Sequence, residues 1–131
     1  MINGFKHLKV YQLAFRTAIG IFNLVKKIPA DEKFELVSQI RRSSRSVCSN
    51  IAEGYRKKKY PKHFSSKMTD ADSEASESCV WLDFARECEY ITIEEYQKFT
   101  SHYEEIGRML GFMAEHPEKF QPQKYNKTQT K

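Results

Sequence analysis

Four histidines, three cysteines and a close pair of glutamates are the residues of this 131-residue chain most able to do chemistry. A metal site inside a helical bundle is commonly built from Glu-x-x-His pairs, because positions i and i+3 share a helix face. The residues three before His7, His63, His102 and His116 are Gly4, Tyr60, Phe99 and Met113, so no histidine has a carboxylate at that spacing. Cys48, Cys79 and Cys88 form no Cys-x-x-Cys pair and are odd in number, the pattern of buried thiols in a reducing cytoplasm. Glu74 and Glu77 fall on one helix face and could act as paired carboxylates. The same spacing serves structural hydrogen bonding or a solvated face, and that is the expected role. HExxH, a glycine-rich phosphate loop and GxSxG are all absent, and no Ser or Cys has an evident base to activate it. The expectation is a non-enzymatic protein with no catalytic residues, no metal and no cofactor.

Charge is the stronger signal. The net charge is +5. Between Arg41 and His63 stand eight cations, Arg41, Arg42, Arg45, Arg56, Lys57, Lys58, Lys59 and Lys62, against one acid, Glu53. From Asp70 to Glu89 there are seven acids against Arg86 alone. Such asymmetry can steer an anionic polymer, or it can join two helices or two subunits.

The elements that must position these charges read as four helices at about 7–27, 31–53, 61–90 and 93–115. In the first, Leu8, Tyr11, Phe15, Ala18, Phe22 and Val25 recur at steps of three and four, and Val10, Ala14, Thr17, Ile21, Leu24 and Ile28 run beside them. Two seams make an apolar face wide enough for partners on two sides. Pro29 closes the helix. In the second, Val37, Ile40, Ser44, Val47 and Ile51 make the core line, serines permit close approach, and Gly54 is expected as a left-handed C-cap. The third starts near Pro61 and carries the small-residue line Phe64, Met68, Ala71, Ala75, Ser78, Leu82 and Ala85. Val80, Trp81 and Phe84 lie off that line, either as surface for oligomerisation or, for Trp81, along the bundle edge. The fourth opens with the capping box Thr92–Glu95, repeats Tyr96, Phe99, Tyr103, Ile106, Leu110 and Met113, and ends at Pro117.

Short connections give an all-α, antiparallel up-down-up-down four-helix bundle over residues 1–116, followed by a polar tail, 117–131, expected to be disordered. No apolar run reaches membrane-spanning length, and the N-terminus lacks a secretion-signal layout. Within the second helix, Gln39, Ser43, Ser46, Asn50 and Glu53 form a polar stripe at core rhythm. Either it faces water, or it is a buried network whose Gln39 and Asn50 need partners such as Glu74 or Glu77.

The segment QIRRSSRSVCSNIAEGYRK resembles the signature of four-helix-bundle proteins encoded by intervening sequences in bacterial large-subunit rRNA genes. Those are similar to the accessory variability protein of diversity-generating retroelements. The matching positions are Gln39, Ile40, Arg41, Arg42, Ser43, Ser44, Ser46, Val47, Asn50, Ile51, Ala52, Glu53 and Gly54. The opening Leu8-Lys9-Val10-Tyr11-Gln12-Leu13-Ala14 and the stretch Ser73 to Glu77 after Phe64 also resemble the family, and the likeness covers roughly 5 to 115. Ser43-Ser44 in place of alanines, Asp72 in place of a glycine and the corner Glu89-Tyr90-Ile91 depart from it. The resemblance implies a homopentameric ring, a basic surface for RNA or DNA, a reverse transcriptase as partner, and no catalysis.

Two functions follow from these readings. In the first, an oligomeric accessory protein contacts nucleic-acid backbone through Arg56, Lys57, Lys58, Lys59 and Lys62, assisted by Arg41, Arg42 and Arg45 where exposed. In the second, an oligomeric scaffold binds a protein partner and the lysines only aid solubility. For Arg41 and Arg42 the competing role is pairing with acids on the third helix or on a neighbouring subunit.

Overall fold

A computed structural model describes residues 4–122. Among these there are four α-helices and no strand: α1 (Lys9–Leu24), α2 (Leu36–Arg56), α3 (Pro61–Glu87) and α4 (Ile93–Glu115). They form a four-helix bundle in which α2 packs on α1 and α3, and α4 packs on α3 and α1. No helix among the described residues is long and apolar enough to cross a membrane.

The second seam of α1 is the one that enters the core: Val10, Ala14, Thr17, Ile21, Leu24 and Ile28 are all buried. The first seam splits. Ala18 and Val25 are buried, whereas Phe15 and Phe22 stay exposed, at 49% and 36%, with Ile19 beside them at 48%. Every residue of the small-residue line on α3 is buried, and so are Phe99, Tyr103, Ile106, Leu110 and Met113 of α4. The capping box is present: Thr92 Oγ1 accepts from the Glu95 N–H at 3.1 Å, and Glu95 Oε1 accepts from the Thr92 N–H at 2.9 Å. Glu95 also pairs with Lys27 at 2.5 Å, tying the end of the first segment to the start of α4.

Several boundaries differ from the sequence expectation. α2 does not start at Asp31. Ala30–Glu32 form a separate 3-10 turn, and the Glu32 carboxylate accepts from the Leu36 N–H at 3.4 Å and from the Tyr90 hydroxyl at 2.8 Å. The acidic start therefore serves a turn that braces α2 rather than the first turn of α2 itself. α1 gives way at Val25–Lys27 to a 3-10 turn, because Pro29 forces Ile28 into extended backbone. α3 ends at Glu87, where Glu89 takes a positive φ of 62°. The Tyr90 N–H bonds the Ala85 carbonyl at 2.8 Å, and the Glu89 N–H bonds Arg86 at 2.9 Å, the two bonds of a Schellman cap.

Gly54 is not a left-handed cap. No glycine among the described residues has positive φ, and α2 continues through Gly54 to Arg56. Gly54 is buried against α3, where a Cβ would collide with the Met68 methyl and lie 2.9 Å from Lys67 Cβ. Its missing side chain lets two helices touch.

The bundle also extends past residue 116. Pro117–Phe120 form a 3-10 turn, and the Phe120 ring stacks on Phe64 with centroids 5.6 Å apart. An apolar anchor orders this part of the polar tail. Residues 123–131 lie outside the described residues.

Candidate nucleic-acid interface

The eight cations singled out by sequence fall into two groups. Arg41, Arg42 and Arg45 sit in the first half of α2; Arg56, Lys57, Lys58, Lys59 and Lys62 occupy the corner joining α2 to α3. Arg45 and Arg56 are eleven positions apart on α2, so about 16 Å of helix rise separates the groups.

Two of the three arginines are engaged with the fold. The Arg42 guanidinium bonds Glu77 at 2.5 Å and lies 3.4 Å from Glu74. Glu77 also accepts from the Trp81 indole N–H at 3.1 Å. The Arg42 hydrogen bond, aided by that from Trp81, holds the Glu77 carboxyl below its usual range. Glu74 and Glu77 thus serve Arg42, not Gln39 or Asn50. Arg41 stacks over the Phe22 ring at 5.1 Å. Arg45 lines an apolar groove of about 490 Å³ between α1 and α2 with Phe15, Ile19 and Phe22.

The polar stripe proves mixed. Ser43 is buried, its hydroxyl 2.7 Å from that of Ser78 on α3. Ser46 and Asn50 are half-buried and bond each other at 3.1 Å. Gln39 and Glu53 are exposed, and Glu53 pairs with Lys67 at 2.7 Å. Tyr103 presents a buried hydroxyl next to Ser78 without a well-formed hydrogen bond, and burial raises its pKa above the ordinary phenol range.

The lysine group is different. Lys57, Lys59 and Lys62 are exposed and Lys58 is half-buried. Among the described residues none of these four lysines is in an ion pair; the nearest acid in sequence, Glu53, is taken by Lys67. The Lys58 ammonium lies 3.9 Å from the Tyr55 ring centroid and donates to its hydroxyl at 2.8 Å. Tyr55, Arg56, Lys58, Lys59 and Pro122 line a cavity of about 320 Å³. An open cluster of unpaired cations can hold phosphates and does not by itself read sequence.

Sequence reasoning missed two aromatic residues among these charges. Tyr60 is 53% exposed inside the lysine corner, and Phe34 is 83% exposed beside Lys33 at the arginine groove. For Tyr60 the signal was present: one aromatic interrupting a run of cations just before a proline.

Among the described residues no group of three or more His, Cys, Asp or Glu is placed to hold a metal ion. Burial pushes the Cys48 and Cys79 thiols up to about 11, which leaves them neutral and poorly nucleophilic.

Comparison with known proteins supports the motif reading. Residues 6–111 match the model of the 23S rRNA-intervening sequence protein family. A solved structure of a protein of unknown function from the S23 ribosomal protein family of Bacteroides thetaiotaomicron is similar, with 31% sequence identity and a TM-score of 0.73. The match covers 80% of this chain and 97% of that one. No curated protein matches.

Proposed function

The chain belongs to the 23S rRNA-intervening sequence protein family, and from that premise we propose a non-enzymatic accessory protein that holds the backbone of RNA or DNA at the α2–α3 corner. One observation carries this reading: Lys57, Lys58, Lys59 and Lys62 crowd one exposed corner with no acid paired to them among the described residues. Unpaired cations repel one another and gain most from an anionic polymer that brings phosphates to all of them. Four lysines neutralising four phosphates give a slope of log K against log salt of about −2.8 to −3.6. Raising salt from about 50 to 200 mM then weakens binding roughly 50- to 150-fold. Titration of the chain into labelled RNA at both salts tests this. Absence of binding at the lower salt to both single-stranded and duplex RNA removes the proposal.

Assembly belongs to the same reading. The bundle is read as up-down-up-down. Pairs such as Arg42 with Glu77 and Glu53 with Lys67 support opposed directions for α2 and α3, as Tyr96 with Asp83 does when set beside the approach of Gly107 to Asp72 for α3 and α4. Two unlike apolar surfaces remain exposed. Phe15, Ile19 and Phe22 lie beside Arg41 and Arg45, while Val80 and Phe84 lie beside Asp83 and Glu87 on α3. Basic-apolar against acidic-apolar is a heterologous contact, which closes into a ring when the rotation permits. A ring of five would repeat the lysine corner five times and raise avidity.

The second reading, a scaffold for a protein partner such as a reverse transcriptase, draws on the same apolar flanks. Replacing Lys57, Lys58 and Lys59 with glutamine separates the two: the first reading loses nucleic-acid binding, and the second keeps its partner.

A further inference from the structure

Resting on the nucleic-acid reading above, we propose that the α2–α3 corner takes single-stranded nucleic acid, with the Tyr60 ring as the platform on which one unpaired base stacks. Tyr60 is the residue of this corner that the fold does not use. Tyr60 is 53% exposed. The neighbouring Tyr55 shows what a structural tyrosine looks like here: it is half-buried, with Lys58 over its ring and bonded to its hydroxyl.

The backbone that carries the ring is fixed. Tyr60 precedes Pro61, which restricts it to extended backbone, and its φ and ψ are −116° and 91°. Its N–H donates to the Lys57 carbonyl at 2.8 Å, and its carbonyl accepts from the His63 and Phe64 N–H groups at 2.9 and 3.0 Å. The His63 ring lies 6.0 Å from the Tyr60 ring, centroid to centroid, at 74° between planes, so it is not stacked parallel on it. The Lys59 ammonium lies over one face of the Tyr60 ring, 5.4 Å from its centroid, so the base stacks on the opposite face. Lys59 also lines the 320 Å³ cavity, so backbone held there brings a base within reach of the ring.

Chemistry selects the strand form. Lysines meet the phosphates of single strands and duplexes alike. A ring face gains only where a base has a free face, and in a duplex the bases are stacked on one another. Base–aromatic stacking is sequence-tolerant, so the site discriminates paired from unpaired nucleic acid rather than one sequence from another.

The test is fluorescence anisotropy of the full chain with an unstructured single-stranded RNA of about 12 nucleotides, a length within the usual range for such sites, and with a blunt duplex of equal length. Tyr60→Ala, Tyr60→Phe and a Lys57→Gln, Lys58→Gln, Lys59→Gln triple variant are compared. Tyr60→Ala is expected to weaken single-strand binding about 5- to 150-fold, with duplex affinity and salt slope unchanged and Tyr60→Phe like wild type. Equal losses on both ligands, no loss on the single strand, or a Tyr60→Phe variant as weak as Tyr60→Ala overturns the stacking role. If the triple variant binds as wild type does, or wild type binds neither ligand, the lysine corner itself fails, and this inference fails with it. Circular dichroism on Tyr60→Ala checks that loss of a half-exposed ring leaves the helices intact.

Discussion

Replacing Glu89 with glycine should make this protein more stable, although it deletes a side chain and adds backbone freedom. Glu89 sits at φ 62°, in the left-handed region, at the end of α3. A side chain there suffers a Cβ–carbonyl clash costing roughly 1–2 kcal/mol. The Schellman bonds from Tyr90 to Ala85 and from Glu89 to Arg86 fix that conformation, so the residue cannot relax out of it. Glu89 is exposed, and its negative charge stands at a helix C-terminus, unfavourable by about 0.3–1 kcal/mol at low salt. Against these gains, glycine loses about 0.5–1 kcal/mol more backbone entropy on folding. The balance is a stabilisation of about 1 kcal/mol, worth about 4 °C in Tm for a chain of this size. Urea and thermal unfolding of Glu89→Gly, Glu89→Asn and Glu89→Val measure it. The expected order is Gly above Asn above wild type above Val. A Glu89→Gly protein no more stable than wild type would refute the strain argument.

Gly54→Ala should act in the opposite sense. Helix propensity alone favours Ala by about 1 kcal/mol, but the added Cβ meets Met68 and Lys67, and overpacking of about 1–3 kcal/mol should leave a net loss in urea unfolding. Glu77→Gln should remove an acid-dependent part of stability. Because Arg42 depresses the Glu77 pKa below the ordinary glutamate value, that contribution is complete above the ordinary value and fades as pH falls through the depressed one. The pair is partly exposed, so the loss at neutral pH should be below about 1 kcal/mol, and Tm measured down the acid range should fall less steeply in the variant. Asp72→Asn should stabilise at neutral pH, since burial raises the Asp72 pKa and the charged form burdens the fold above that raised value; an unchanged Tm contradicts this. Phe22→Asp, on the exposed α1 flank, should lower the mass measured by light scattering while leaving the helical spectrum intact.

Local pattern determined most of what the helices are. A residue faces the core because of its offset from its own neighbours at 3.6 per turn, so the buried lines of α3 and α4 were legible without a partner in view, whereas in α1 two seams were legible and the packing chose which is buried. The Thr92–Glu95 capping box and the crowding of Lys57, Lys58, Lys59 and Lys62 are likewise local, fixed by spacing and composition. The tertiary structure decided what is long-range. Arg42 found Glu77 and Ser43 found Ser78 only because α2 and α3 face each other with one particular rotation and offset, which neither helix encodes alone. The same approach turned Gly54 from an expected cap into a contact, while the left-handed cap fell to Glu89, where no glycine announced it. It also parted Arg42, paired with acids of α3, from the lysines that meet no acid at the corner, because pairing depends on which acids the neighbouring helix brings within reach.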